Sequence, residues 1–244
     1  MGMGKKLSII IPFYNEQEGI KQLKEKLVPT TDRLKRSYDI EILLIDDGST
    51  DKTNELLHKY FDNMQGAKII VHEKNMNLGA AHRTGFSQAT GDFIAFLDSD
   101  CTYDPNLIEK MLSLFDENTD IVTVSPYHPR GRIENVPRYR MFLSKSVSMI
   151  YRMLSPIKLY TYTAMVRVYR NRIPESVHFR SNNFLAVTEI MIRAAFLGFK
   201  AKEIPAVLHG RQFGVSKLKT MRVMRDHLSL LRDILLYKLV GRSL

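Results

Sequence analysis

Three short polar clusters carry residue types that could hold a cation against phosphate: Pro12-Phe-Tyr-Asn-Glu16, Asp46-Asp47 and Asp98-Ser-Asp100. Carboxylates gathered in one place repel one another and resist burial, so a shared site needs a cation or several donors. A hard divalent ion such as Mg²⁺ or Mn²⁺, itself bound to phosphate oxygens, answers that need. The competing reading is turn and cap chemistry, where Asp, Asn, Ser and Gly are common. A second set of able residues is cationic: Arg140, and Arg211 and Lys217 at the two ends of Arg211-Gln-Phe-Gly-Val-Ser-Lys217. Glu189 is the plausible general base late in the chain, yet it lies at i,i+4 from Arg193 and reads equally well as an ion pair.

The cation reading requires elements that bring the acidic clusters to one edge. Leu7–Pro12, Asp39–Ile45, Ala67–His72, Phe93–Leu97 and Ile121–Ser125 read as buried strands. Helical spacing separates them, over Glu16–Arg36 (where Pro29 is a candidate break), through Leu56, Leu57 and Tyr60, over Leu78–Thr90, and from Asp104-Pro105. This alternation predicts an α/β fold with a mainly parallel sheet, whose ligands sit outside the carboxyl ends of the strands. The three clusters fall at those ends. Beyond them the sequence predicts a loop over Pro126–Pro137, a basic amphipathic helix over Arg138–Leu154 and a helix over Phe184–Leu197 stopped by Gly198. A returning strand within Ala201–Leu208 and a final helix over Lys217–Val240 complete the reading.

Charge divides the chain. Residues 1–129 hold 14 basic and 20 acidic side chains, whereas residues 130–244 hold 22 basic and 6 acidic, a balance of +16. So cationic a half should meet an anion, whether nucleic acid, a phosphorylated substrate or an acidic membrane surface. No stretch free of Asp, Glu, Lys and Arg exceeds nine residues, too short to span a bilayer. The start lacks the apolar core of a signal peptide, and one cysteine, Cys101, excludes an internal disulfide framework. Against a nucleic-acid-binding module, the basic residues are dispersed and aromatic residues are not interleaved among them.

The ordered set PFYNE, IDDGSTD, Asn77-Leu-Gly-Ala-Ala81 and FLDSD resembles the inverting family-two glycosyltransferases of the GT-A fold. The resemblance covers residues 7–125 and implies a nucleotide-diphosphate-sugar site. It assigns Pro12, Tyr14 and Glu16 to the nucleotide pocket, Asp46 or Asp47 to the base, and Asp98 and Asp100 to the metal, Mg²⁺ or Mn²⁺, and the diphosphate or ribose. The second half is similar to polyprenyl-phosphate glycosyltransferases through Ser125–Gly131, Arg140, Arg167–Arg170, Glu189 and Arg211–Lys217. That similarity places Arg140, Arg211 and Lys217 against phosphate. Five positions depart from the pattern: Pro126, Arg130 and Val136, Thr102, where Gln is frequent, and Thr161, where an acidic residue is usual.

The resemblance divides the chain into a glycosyltransferase domain over 1–215, with a nucleotide-sugar half (1–125) and an acceptor half (126–215), and a basic amphipathic helix over 216–244. That helix either completes the core or forms a dimer seam, or rests on anionic headgroups. A phosphate acceptor is already anionic near neutrality and needs cations, whereas a sugar hydroxyl needs a base. The excess of basic residues after residue 129 favours the phosphate. The expected function is metal-dependent inverting transfer from a UDP- or GDP-linked sugar to a polyprenyl phosphate, with a saccharide hydroxyl as the alternative acceptor. The expected place is the cytoplasm, peripheral at the inner face of the membrane, with room for a transmembrane partner or a homo-oligomer. A catalytically silent subunit is the remaining alternative.

Overall fold

The computed structural model describes residues 4–213 and 220–240. Its elements, in chain order, are β1 (Lys6–Phe13), α1 (Ile20–Leu34), β2 (Asp39–Asp46), α2 (Thr53–Phe61), β3 (Ala67–Val71), α3 (Leu78–Gln88), β4 (Phe93–Phe96), α4 (Leu107–Leu112) and β5 (Ile121–Ser125). There follow β6 (Arg132–Glu134), α5 (Arg138–Leu154), β7 (Arg167–Arg170), α6 (Arg172–Ser176), α7 (Leu185–Phe196), β8 (Ala201–Pro205), β9 (Val207–His209) and α8 (Thr220–Val240).

The strands form a seven-stranded sheet in the order β3-β2-β1-β4-β7-β5-β8. Every neighbouring pair is parallel except those of β7, which runs antiparallel to both β4 and β5. Strand alternation sends Ile9, Ile11, Ile42 and Leu44 into one core, shared with Leu23, Leu27, Leu57 and Ile108. Ile10, Leu43, Ile45 and Phe96 enter a second core with residues of α3, α5, α7 and α8. Buried on both faces, β1, β2, β4 and β5 read as nearly continuous apolar runs, which is why the first half is so plain in the sequence.

Several expectations are corrected. Helix α1 runs through Pro29; the Thr30 and Thr31 hydroxyls donate to the carbonyls of Lys26 and Val28 beside it, and the buried stripe Leu23-Leu27-Leu34 keeps its register. Strand β7 was not expected. Arginines bound its four residues, yet Arg167, Val168 and Tyr169 are fully buried. The Arg167 guanidinium donates to the Thr123 hydroxyl and to the carbonyls of Val187 and Tyr162, so the charge is spread over dipoles that join β5, α7 and the chain before β7. The single strand expected within 201–208 is broken after Pro205. There β8 leaves β5, and β9 pairs with β6, which lies inside the segment expected to be a loop.

Register sets the working edge. Phe13 stands opposite Asp46, Ile10 opposite Phe96, and the Leu97 amide donates to the Ile10 carbonyl, so β1, β2 and β4 end together. Asn15 (φ 53°), Asn77 (φ 70°) and Cys101 (φ 52°) all adopt left-handed backbone in the loops following β1, β3 and β4. Asparagine tolerates that region, whereas a cysteine there carries strain of about 1–3 kcal/mol.

Candidate active site

The loops after β1 and β2 are laced together. Ser49 Oγ accepts from the Asn15 amide at 2.9 Å, Asn15 Oδ1 from the Thr50 amide at 2.8 Å, and Thr53 Oγ1 from the Glu16 amide at 2.8 Å. Pro12 is buried within β1, and Tyr14 is half-buried beside it. Asp46 and Asp47 are 1% and 3% exposed. Asp46 Oδ1 accepts from the Ser49 amide at 3.0 Å. The Asp47 carboxylate holds His72 Nδ1 at 2.7 Å and the Met76 amide at 2.9 Å, and His72 Nε2 reaches Thr84 Oγ1 at 2.9 Å. Asp47 therefore ties the β3–α3 connection to the site edge.

After β4, Asp98 Oδ2 accepts from the Thr102 hydroxyl and Asp100 Oδ1 from the Thr102 amide, both at 3.1 Å. Desolvation, and then the neighbouring Asp100 charge, raise the Asp98 carboxyl well above the usual carboxylate range. Two hard oxygen donors that cannot both be charged cheaply on their own suit Mg²⁺ or Mn²⁺. Among the described residues no group of three or more His, Cys, Asp or Glu gathers as a metal site, so an ion here would complete its shell with ligand oxygens and water. Cys101, directly after Asp100, is 5% exposed with its thiol pushed up to about 11, an inert packing group.

Arg211 reaches this edge from the end of the chain. Its Nη1 lies 2.8 Å from both carboxylate oxygens of Glu16, and its Nη2 lies 3.0 Å from Asp100 Oδ2. Burial pulls against the charge, but Asp100 and Glu16 hold the guanidinium more firmly protonated than usual. Lys217 lies outside the described residues.

Arg140 is on α5, its Nε 3.1 Å from the Tyr139 hydroxyl. It lines a mostly apolar cavity of about 280 Å³, with Val136, Leu143, Val147, Phe184 and Leu208 among the other walls. Leu208 on its wall is followed by His209, whose amide donates to the Thr102 carbonyl at 3.0 Å, so this wall lies beside the loop that carries Asp98 and Asp100. A larger cavity, about 520 Å³, opens at the amino ends of the strands around Gly91 and Asn171, away from the expected site residues.

Glu189 makes the ion pair with Arg193 that its i,i+4 spacing allowed. It is 3% exposed, and its carboxylate accepts from the amides of Arg180 (3.1 Å) and Ser181 (2.9 Å) and from Arg193 Nε (2.7 Å). Burial alone would raise its carboxyl, but these donors outweigh that and lower it, which makes it a poor base. The loop it holds docks on α3: the Gly79 amide donates to the Asn182 carbonyl at 2.7 Å, and Arg83 holds Ser181 O and Asn182 Oδ1. The glycine of Asn77-Leu-Gly79 is needed because a Cβ there would stand 2.1 Å from Ser181 O.

Sequence reasoning passed over Glu203. From β8 it accepts the Tyr160 amide at 2.8 and 3.0 Å, and desolvation raises its carboxyl. A carboxylate thus lies against the 160–161 segment, where the sequence itself has no acid; the signal was spatial, since 43 residues separate them. On α8, His227, Leu230, Leu231 and Ile234 are buried, while Leu228, Leu235 and Leu239 face outward, so its apolar residues are divided between core and surface.

A parallel sheet with one antiparallel insertion, carrying carboxylates and a guanidinium at its carboxyl edge, defines the class of GT-A glycosyltransferases. The family model for glycosyl transferase family 2 matches residues 8–182, and the chain belongs to that family. It is 32% identical over 221 residues to a dolichol-phosphate mannosyltransferase of Pyrococcus furiosus, covering 88% of this chain and 59% of that protein. It is likewise 32% identical over 224 residues to an undecaprenyl-phosphate 4-deoxy-4-formamido-L-arabinose transferase of Salmonella choleraesuis, covering 90% of this chain and 64% of the relative. The chain thus spans about three fifths of the length of these relatives. The fold matches glucosyl-3-phosphoglycerate synthase of Mycobacterium tuberculosis, solved with Mn²⁺, UDP and glucosyl-3-phosphoglycerate, at a TM-score of 0.69 and 16% identity over 96% of this chain and 79% of that one. The same enzyme solved with Mg²⁺ and UDP matches at 0.68, with 17% identity over 96% and 79%.

Proposed function

We propose that the protein transfers a sugar, with inversion, from a nucleotide-diphosphate sugar to a polyprenyl phosphate at a membrane surface. The observation that carries this reading is the juxtaposition of the acidic strand edge, bridged by Arg211, with an apolar cavity lined by Arg140. One end suits a nucleotide diphosphate with a divalent ion, and the other suits a hydrocarbon chain carrying a phosphate. The names of the two relatives support the acceptor class.

In this reading Pro12, Tyr14, Glu16, Asp46 and Asp47 frame the nucleotide pocket. Asp98 and Asp100 hold Mg²⁺ or Mn²⁺, which supplies neutralising charge to the diphosphate when bound. An acceptor phosphate oxygen attacks the anomeric carbon as the bond to the nucleotide diphosphate breaks. Arg211 stabilises charge growing on the leaving group, and Arg140 and Lys217 orient the acceptor phosphate. An anionic acceptor needs no base, in keeping with the full engagement of Glu189 by donors. A saccharide hydroxyl would need the base that Glu189 is poorly placed to be.

Contact with the membrane falls to α5. Tyr139, Phe142, Met149 and Met153 form an exposed stripe on it, with Arg138, Lys145 and Arg152 on its flank. Such a helix lies in the interface, with its apolar side chains among acyl chains and its cations on anionic headgroups. No helix of the described residues is long and apolar enough to cross a membrane.

The donor half is tested by thermal stabilisation with a panel of UDP- and GDP-sugars, each with and without Mg²⁺ or Mn²⁺. Ligand at about a hundred times its dissociation constant should stabilise the fold by roughly 2.7 kcal/mol. The expected shift requires metal and disappears in Asp100→Ala. Indifference to every donor would defeat the proposal.

A further inference from the structure

Arg211 sits where a bound cation would be most stable. Its guanidinium touches Glu16 and Asp100 at once, at 2.8 and 3.0 Å. The three side chains are 23%, 8% and 13% exposed, so the contacts are shielded from water. Asp98, whose Oδ2 accepts from the Thr102 hydroxyl at 3.1 Å, adds a third carboxylate to the edge. The backbone before it is pinned: the His209 amide donates to the Thr102 carbonyl at 3.0 Å, and the Gly210 amide to the Glu134 carbonyl at 2.7 Å. Movement at this point therefore belongs to the arginine side chain rather than to the segment carrying it.

A free divalent ion entering this edge meets a guanidinium already bonded to Asp100. It must bind within a few ångströms of a like charge, or expel the arginine and strip Glu16 of a charge-assisted pair. The ion alone brings no anion to receive the displaced guanidinium. A nucleotide diphosphate changes the balance, because its phosphate oxygens accept the guanidinium as the ion takes over the carboxylates.

We infer that Arg211 is a stand-in cation, which makes the protein take its divalent ion together with the nucleotide diphosphate, as one complex, rather than hold the ion as a resident cofactor. The inference rests on the metal-dependent donor site proposed above and adds an order of binding to it. Arg211 then acts twice with opposite sign, against the ion alone and in favour of the ion with its nucleotide.

Calorimetric titration separates the two actions. Mn²⁺ alone is titrated into wild type, Arg211→Gln and Arg211→Lys; UDP and GDP are then titrated at saturating Mn²⁺. Arg211→Gln should bind Mn²⁺ alone about tenfold more tightly than wild type and the Mn²⁺–nucleotide pair about tenfold more weakly. Arg211→Lys, which keeps the charge without the fork that spans both carboxylates, should fall between them and serves in place of the glutamine variant if that one does not fold. Unchanged or weaker Mn²⁺ binding in the variants, beside metal-dependent nucleotide binding in wild type, would overturn this inference alone. Absence of metal-dependent nucleotide binding in wild type would overturn the donor site on which it rests.

Discussion

Asp100 and Glu189 show how much a carboxylate's role depends on what answers its charge. Asp98 and Asp100 share one small space with Thr102 and Arg211 as their partners, so the charge there is already answered by a cation, the Arg211 guanidinium. Glu189 is surrounded by two amides and an arginine. Replacing it with glutamine should lower stability by about 2–4 kcal/mol, because a buried charged pair loses one member. Transfer activity should persist within about tenfold wherever the variant is folded. Folding followed by urea, with turnover measured below the transition, checks both; a folded Glu189→Gln protein that binds donor but transfers nothing would make Glu189 the base. The carboxylates at the strand ends were legible because each follows an apolar run directly. The engagement of Glu189 was only half legible: Arg193 stands one turn away on the same helix, but the Arg180 and Ser181 amides come from an irregular loop with no periodicity to read.

Helices and strands add constraints that single residues do not reveal. Gly79 and the 180–184 loop are in such close contact that Gly79→Ala should cost about 1–3 kcal/mol through overpacking, seen as a lower denaturation midpoint. Helix α8 is joined to α5 by the buried pair Tyr151 Oη and His227 Nδ1 at 3.0 Å. Burial lowers His227 to about 4, and His82, stacked on Phe96, likewise to about 4. Since the unfolded chain takes up these protons near pH 6.5, stability should fall as pH drops from about 6.5 to about 4. Each histidine contributes at most roughly 3 kcal/mol to that fall. Urea midpoints across this window should show a shallower slope in His227→Gln than in wild type; parallel slopes would remove His227 from the account. At this scale the sequence was readable where strands are buried on both faces and opaque at β7. That strand's place depends on a buried arginine whose partners lie 5, 20 and 44 residues away.

The whole molecule sets an acidic carboxyl edge against a basic second half, and the division of charge between residues 1–129 and 130–244 made that visible before any coordinates. Which apolar side chains stay exposed was not visible, because packing decides it: α5 leaves Tyr139, Phe142, Met149 and Met153 in solvent, and α8 leaves Leu228, Leu235 and Leu239 there. Phe142→Ser with Met153→Ser should reduce flotation with anionic liposomes about tenfold while leaving the urea midpoint unchanged, because both side chains are more than two-thirds exposed. Equal flotation would move the contact elsewhere. The central claim is the transfer itself. The protein is incubated with radiolabelled UDP- and GDP-sugars, Mg²⁺ or Mn²⁺, and undecaprenyl phosphate in detergent micelles, then extracted with organic solvent. The account predicts label in the organic phase, dependent on metal, on the lipid phosphate and on Asp100. Label that stays in water with every donor, or that passes to a saccharide while the lipid phosphate remains untouched, would contradict it.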